Sequence, residues 1–293
     1  MSLATSDTTE AAPGAPANLG VEPVSGALGA VIRGVDLANL DDDAFAAIYA
    51  AFLKYGVIFL EDQQLSPDQY VAFARRFGPL ADYPFAKGMD GRPEIVEIVK
   101  EPHQTSNFGG MWHTDTTYQP NPPKATMLYA VQTPTTGGDT LFADMRLAYR
   151  KLSTGMQVLL AGLKAVNSSS LNASALRGDH LKGGAMGAKA DAKPVLEAEH
   201  PVVRTHPETG AKALYVNPSH TVRFVGFTRE ESLPLLEFLY AHSIKPEFTC
   251  RFRWRPGSLA IWDNRSTQHC AINDYDGHRR VMRRVTIGGA AEL

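Results

Sequence analysis

Cysteine is almost missing from this chain: Cys250 and Cys270 are the only two among 293 residues. Two thiols cannot supply the disulfide framework of a small secreted domain, so a reducing, cytoplasmic setting is expected. Long apolar runs are absent as well. No stretch approaches the roughly 18 apolar residues that cross a bilayer, and the most apolar segment, Phe45 to Leu53, reads as a packed helix. Charge of one sign is lacking too. The 29 Lys and Arg against 31 Asp and Glu leave a net charge of −2, which gives no basic field for nucleic acid or an anionic membrane. Any anion must therefore be held by a few placed arginines. The first 18 residues contain neither a basic n-region nor an apolar h-region, so they read as a disordered tail rather than a signal peptide.

What remains is a globular composition, 44% hydrophobic and 20% charged, enough for one large domain over residues 19–293. Glycines at 26, 29 and 34 punctuate a hairpin between Gly20–Val24 and Ala27–Val35. Asp41 to Asp43 open a helix whose Phe45, Ile48, Tyr49 and Phe52 form one apolar face, with Gly56 as its C-cap. Ser66, Pro67 and Gln69 form a capping-box start, and Thr228 with Glu231 forms another ahead of Leu235, Leu236 and Leu239. Short strands are expected at Val57–Leu60, Ile95–Val99, Thr126–Val131, Thr140–Ala143, Val202–Thr205, Leu214–Val216, Phe248–Arg253, Leu259–Trp262 and Arg280–Ile287. Many short strands separated by turn residues favour a barrel or jelly roll with flanking helices. The segment from Asn167 to Pro194 has no aromatic residue and little to bury, so it reads as a mobile lid.

The sharpest chemical signal is Trp112-His113-Thr114-Asp115. Residues two apart on an extended segment share a side, so His113 and Asp115 can grip one object. With a distant histidine they would make a 2-His-1-carboxylate triad, the set that holds non-haem Fe(II) and leaves positions open. An isolated His-x-Asp is more often an ordinary hydrogen-bonded pair. A second signal is the stretch Trp262 to His269, which offers His269 just after a strand and 154 positions beyond Asp115. The third is the run Arg279 to Ile287. Alternation puts Arg280, Met282, Arg284 and Thr286 on one face, with the two arginines about 13 Å apart at about 3.3 Å per residue. Taken alone, such arginines would be a solvated strand. His103, His180, His200, His206, His242 and His278 have no comparable context and read as surface or structural groups. Cys270 carries no mark of a reactive thiolate, and Trp112 and Trp262 read as hydrophobic support for the ligand segments.

His113-Thr114-Asp115, Gly137-Gly138-Asp139-Thr140, Trp262 to His269 and the Arg280/Arg284 pair together resemble the Fe(II)/2-oxoglutarate dioxygenases of the taurine dioxygenase and 2,4-dichlorophenoxyacetate dioxygenase family. The likeness runs from about Gly20 to Gly289. Its spacings agree: Thr140 lies 27 positions after His113, and Arg280 and Arg284 lie 11 and 15 after His269. The resemblance implies a mostly β, cupin-like jelly roll (a double-stranded β-helix) with flanking helices. It implies His113, Asp115 and His269 as iron ligands, Thr140 and Arg280 on the distal carboxylate of 2-oxoglutarate, and Arg284 facing an anionic substrate. It further implies O2 as cosubstrate, release of succinate and CO2, and a homo-oligomer, dimer or tetramer. By spacing, Tyr83, His220 and Ser169 fall at substrate-pocket positions and differ from the taurine-cleaving pattern. A sulfonate, alkyl sulfate or aryloxyalkanoate is therefore expected rather than taurine. A non-catalytic 2-oxoglutarate or anion sensor on the same barrel is the rival reading. A zinc hydrolase is disfavoured, because an Arg/Thr carboxylate site has no role there.

Overall fold

The computed structural model describes residues 19–171 and 195–289. The expected tail over 1–18 and most of the expected lid lie outside these residues. Asn167 and Ser168 do not belong to a lid: they are buried in strand β8 (Lys164–Ser168).

Helix α1 (Asp42–Tyr55) starts where the Asp41 carboxylate accepts from the Ala44 N–H. It stops at Gly56, whose φ of 73° few side chains tolerate and whose N–H returns to Phe52 O. Its buried face, with Ile48 and Phe52, joins α2 (Pro67–Arg75) and its Phe73 in the largest apolar cluster. The expected capping box of Ser66 and Gln69 opens α2. Helices α3 (Met145–Arg150) and α4 (Thr154–Leu160) start on the side chains of Asp144 and Ser153. In α5 (Arg229–Ser243), the Thr228/Glu231 box turns Leu236 and Leu239 inward.

The large sheet runs in the order β1 (Gly20–Pro23), β2 (Ala30–Arg33), β3 (Val57–Leu60), β14 (Leu259–Asp263), β6 (Ala125–Gln132), β16 (Arg280–Ile287) and β4 (Leu80–Ala81). Strand β5 (Val96–Lys100) also pairs with β16. A second sheet joins β13 (Thr249–Phe252), β7 (Thr140–Asp144) and β15 (Thr267–Ala271). A third joins β12 (Thr221–Phe224), β8 and β9 (Glu197–Pro201), while β10 (Val203–Thr205) and β11 (Lys212–Leu214) form a hairpin. Phe59 and Met282 of the large sheet share an apolar cluster with Phe142 and Phe252 of the second, which sets the two sheets face to face as in a jelly roll.

Three differences from the expected strands have local causes. Pro246 starts a 3-10 turn through Phe248, so the strand begins only at Thr249. Tyr215 and Val216 lie past β11, although both are buried. Strands β8 and β15 escape notice because polar residues, Asn167 and Ser168 in one and Thr267, Gln268 and His269 in the other, break the apolar pattern of their buried positions.

Candidate active site

His113 and His269 exchange backbone hydrogen bonds, 3.0 Å from His113 N and 2.8 Å from His269 N. This isolated bridge extends the second sheet by one residue and sets the two imidazoles 4.1 Å apart, centre to centre. Two residues on, Asp115 is 2% exposed and places Oδ1 3.7 Å from His113 Nε2 and 3.8 Å from His269 Nε2. The three ligand atoms lie within 4.8 Å of one another, so one metal ion can bridge them. The chain turns sharply just after them, at Thr116 with φ 45°.

Every member is oriented by its neighbours. Met111 O lies 2.7 Å from His113 Nδ1, so that nitrogen carries the proton and Nε2 keeps its lone pair for a metal. Asp115 Oδ2 accepts from Thr126 Oγ1 at 2.7 Å and from Trp262 Nε1 at 3.2 Å. Asn264 ties the set together: its Oδ1 accepts from the Asp115 and Trp262 N–H groups, and its Nδ2 donates to Thr126 Oγ1. Trp262 is thus more than the hydrophobic support expected of it, since its indole N–H fixes the carboxylate.

The donor set suits a divalent cation. Burial pushes the His269 imidazole well below its ordinary value of 6.5, and the neighbouring His113 adds to this, so the ring is neutral and free to ligate. Burial would raise Asp115, but the Arg284 guanidinium, with the Thr126 hydroxyl, outweighs it and holds the carboxyl far below 3.8. Cys270, next to His269, is no rival ligand: burial pushes its thiol up to about 11, and its Sγ donates to Gly110 O.

Arg280 is 7% exposed, and among the described residues no carboxylate lies within 4.0 Å of it. Among those residues its Nε and Nη2 have no hydrogen-bond partner either. A buried guanidinium left in this state costs several kcal/mol unless a ligand completes it. Trp254 and Tyr275 hold it from two sides, their rings 5.8 and 5.9 Å from Cζ. Gly138, at φ 72°, admits Tyr275 and the Arg280 stem where a Cβ would stand 3.2 and 3.5 Å from them. Trp254 Nε1 donates to Thr140 Oγ1 at 2.9 Å, which leaves the hydroxyl proton free to donate onward. Thr140, His269, Arg280 and Arg284 line one small cavity. A second, of similar size, adjoins it at His113 and Arg284 and is walled by Tyr83, Tyr118 and His220.

Alternation along β16 therefore brings both arginines to the same interior. Tyr83 packs under Arg284, 5.0 Å from Cζ, and the His220 ring stands 6.0 Å from that of His113. Ser169 is not brought there. It bonds to the residue just before β9 instead: its hydroxyl accepts from Leu196 N at 2.9 Å, and it lines neither cavity. The residues that reasoning from sequence missed are Trp254, Tyr275, Thr126 and Asn264. Only Asn264 carried a signal, as part of the stretch leading to His269. His200, His206 and His242 are structural, each buried against a fixed acceptor.

A β sandwich with a buried His-Asp-His cluster and an unpaired guanidinium beside it defines an iron- and 2-oxoacid-dependent oxygenase class. The chain belongs to the taurine catabolism dioxygenase TauD, TfdA family, whose model matches residues 20–286. It is 38% identical to an alpha-ketoglutarate-dependent sulfate ester dioxygenase of Pseudomonas putida, over 92% of this chain and 90% of that one. It is 35% identical to an (S)-phenoxypropionate/alpha-ketoglutarate-dioxygenase of Sphingobium herbicidovorans, over 92% and 94%. Among solved structures, a taurine dioxygenase from Burkholderia xenovorans superposes with a TM-score of 0.78 at 39% identity, covering 93% and 91%. AAD-2, solved with Mn(II) and N-oxalylglycine, superposes with 0.74 at 26% identity, covering 94% and 100%. The protein is accordingly an Fe(II)/2-oxoglutarate-dependent dioxygenase using O2, with the jelly-roll core of that family. No helix among the described residues is long and apolar enough to cross a membrane.

Proposed function

We propose that this dioxygenase hydroxylates a small organic anion at the carbon beside its heteroatom, with a sulfate ester as the leading substrate class and sulfonates and aryloxyalkanoates next. His113, Asp115 and His269 hold the iron. Thr140 and Arg280 take the distal carboxylate of 2-oxoglutarate, Arg284 faces the substrate anion, and Tyr83 and His220 wall its cavity. Bound iron, 2-oxoglutarate and O2 together supply an oxidant that converts a C–H bond to C–OH, leaving succinate and CO2. On a carbon bearing a sulfate oxygen, the product collapses to an aldehyde and free sulfate.

One observation carries this reading: the buried Arg280 guanidinium has no carboxylate partner among the described residues, and it lines the same cavity as His269. A second carboxylate must complete it, and a five-carbon keto diacid brings one while its other end reaches the metal cluster. The chain's own contribution is placement and dryness. Trp254 and Tyr275 fix the fork, and Leu128 and Trp262 line the cavity with apolar surface that strengthens each charge pair. The substrate class is supported by the sulfate ester dioxygenase of Pseudomonas putida and an alkylsulfatase of Acinetobacter baylyi, 35% identical over 92% of this chain. A sensor that binds 2-oxoglutarate without turnover is disfavoured by the same family membership. Residence in the cytoplasm is supported by the two unpaired thiols.

The test is succinate release from a panel of alkyl sulfates, sulfonates and aryloxyalkanoates with Fe(II), 2-oxoglutarate and O2 supplied. Turnover with at least one class, sulfate esters foremost, is expected. Iron-loaded protein that binds 2-oxoglutarate yet releases no succinate with any of them would establish the sensor instead.

A further inference from the structure

The two oxygens of Asp115 are treated unequally. Oδ2 is occupied by the Thr126 hydroxyl and the Trp262 indole, whereas Oδ1, the atom that faces both imidazoles, lies 3.0 Å from Arg284 Nη2. The contact is an ion pair without a directed hydrogen bond: among the described residues neither Nη2 nor Nε of Arg284 has a hydrogen-bond acceptor. Arg284 is 4% exposed, and among the described residues Asp115 is the only carboxylate within 4.0 Å of it. Among the described residues its one ion-pair partner is thus the Asp115 oxygen that faces both imidazoles, with the Tyr83 ring packed against the guanidinium. The same guanidinium also lines both cavities, beside the space where the substrate anion would lie.

We propose that Arg284 is the counter-ion of Asp115 in the metal-free protein: a positioning residue that holds metal affinity down until an anion in the adjoining cavity draws its charge away. A divalent cation at Oδ1 must either displace the guanidinium or share a low-dielectric pocket with a like charge about one contact distance off. An anion that binds Arg284 relieves that conflict, so anion and metal bind with positive coupling, and linkage makes the effect mutual. This rests on the assignment of His113, Asp115 and His269 as the metal site. It deepens that assignment by making one side chain answer to both ligands.

The test is a Mn(II) titration of the metal-free protein, followed by electron paramagnetic resonance, without 2-oxoglutarate or O2. Arg284→Gln is expected to tighten the Mn(II) Kd about tenfold, because a buried cation beside the ligand oxygen is gone. Inorganic sulfate, against chloride at equal ionic strength, is expected to tighten Mn(II) binding to the wild-type protein and to leave Arg284→Gln unchanged. Melting of the metal-free variant should start lower than wild type, with Mn(II) restoring most of the difference. Should Arg284→Gln not fold without metal, Arg284→Lys replaces it and should fall between the two, since a shorter ammonium sits farther from Oδ1. A Kd for the glutamine variant equal to or weaker than wild type would overturn the proposal, and so would a sulfate effect that survives the substitution. A wild-type protein that takes up no Mn(II) at all would instead overturn the metal-site assignment beneath it.

Discussion

Trp254 donates its indole N–H to the hydroxyl of Thr140 at 2.9 Å, at the start of strand β7 and beside the unpaired Arg280. The bond uses one lone pair of the threonine oxygen and leaves its proton aimed elsewhere. Trp254→Phe keeps the ring and removes the donor, so Thr140 is free to turn away. The KM for 2-oxoglutarate should rise about fivefold, equivalent to about 1 kcal/mol, with kcat changed less. Steady-state succinate formation at varied 2-oxoglutarate measures both.

Arg280→Gln removes the fork itself. The KM for 2-oxoglutarate should rise about a hundredfold or more, since a charge-assisted, bidentate pair contributes about 3 kcal/mol. Mn(II) affinity in the absence of 2-oxoglutarate should stay near wild type, because Arg280 does not contact the ligand set. A change confined to Mn(II) binding would contradict the assignment.

The Trp262 N–H is a different case, because it fixes a metal ligand. Trp262→Phe preserves packing against Phe142 and His269, whose ring centres lie 5.7 and 4.6 Å away, but removes one of the two hydrogen bonds to Asp115 Oδ2 and leaves the Thr126 hydroxyl to hold it. Metal affinity should weaken about 10- to 100-fold, while the circular dichroism spectrum and melting temperature move little.

Asp115→Ala should abolish both Mn(II) uptake and succinate release while the protein still folds. Wild-type-like turnover in that variant would refute the ligand assignment.

Away from the site, Asp263 is buried and bonded to the Arg265 side chain through Nε–Oδ1 at 2.8 Å and Nη2–Oδ2 at 2.7 Å, to the Arg265 backbone N–H at 2.9 Å, and to His206 Nε2 at 2.9 Å. Burial would raise its carboxyl, but Arg265 and His206 together hold it far below the usual 3.8. A folded-state value depressed in this way stabilises the fold at pH above the unfolded value near 3.8. The stabilisation is lost as pH falls from there toward the folded value. Asp263→Asn should therefore lower the melting temperature at pH 7, and its stability should vary less than wild type between pH 4 and pH 2. A thermal denaturation series across pH reads this.

Much of the molecule was legible in order along the chain. Helix starts at Asp41, Ser66 and Thr228 could be read because caps are local: one side chain meets a backbone N–H two or three residues on. The inward pair Arg280 and Arg284 could be read because alternation has a period of two. Strands β8 and β15 could not, since both bury polar side chains that exist to serve long-range partners. Ser169 was misplaced for a related reason: counting residues along a chain does not say whether a hydroxyl turns toward a cavity or toward Leu196.

The sequence by itself determined the ligand types, their local spacing and the family, because motifs such as His113-Thr114-Asp115 are short and their chemistry belongs to the side chains. Only the tertiary structure decided that His113 and His269 share a backbone bridge across 156 positions, that Trp262 and Thr126 occupy one oxygen of Asp115, and that Arg284 pairs with the other. Those relations depend on how strands cross and on which groups lose water together, and neither leaves a period or a spacing to read.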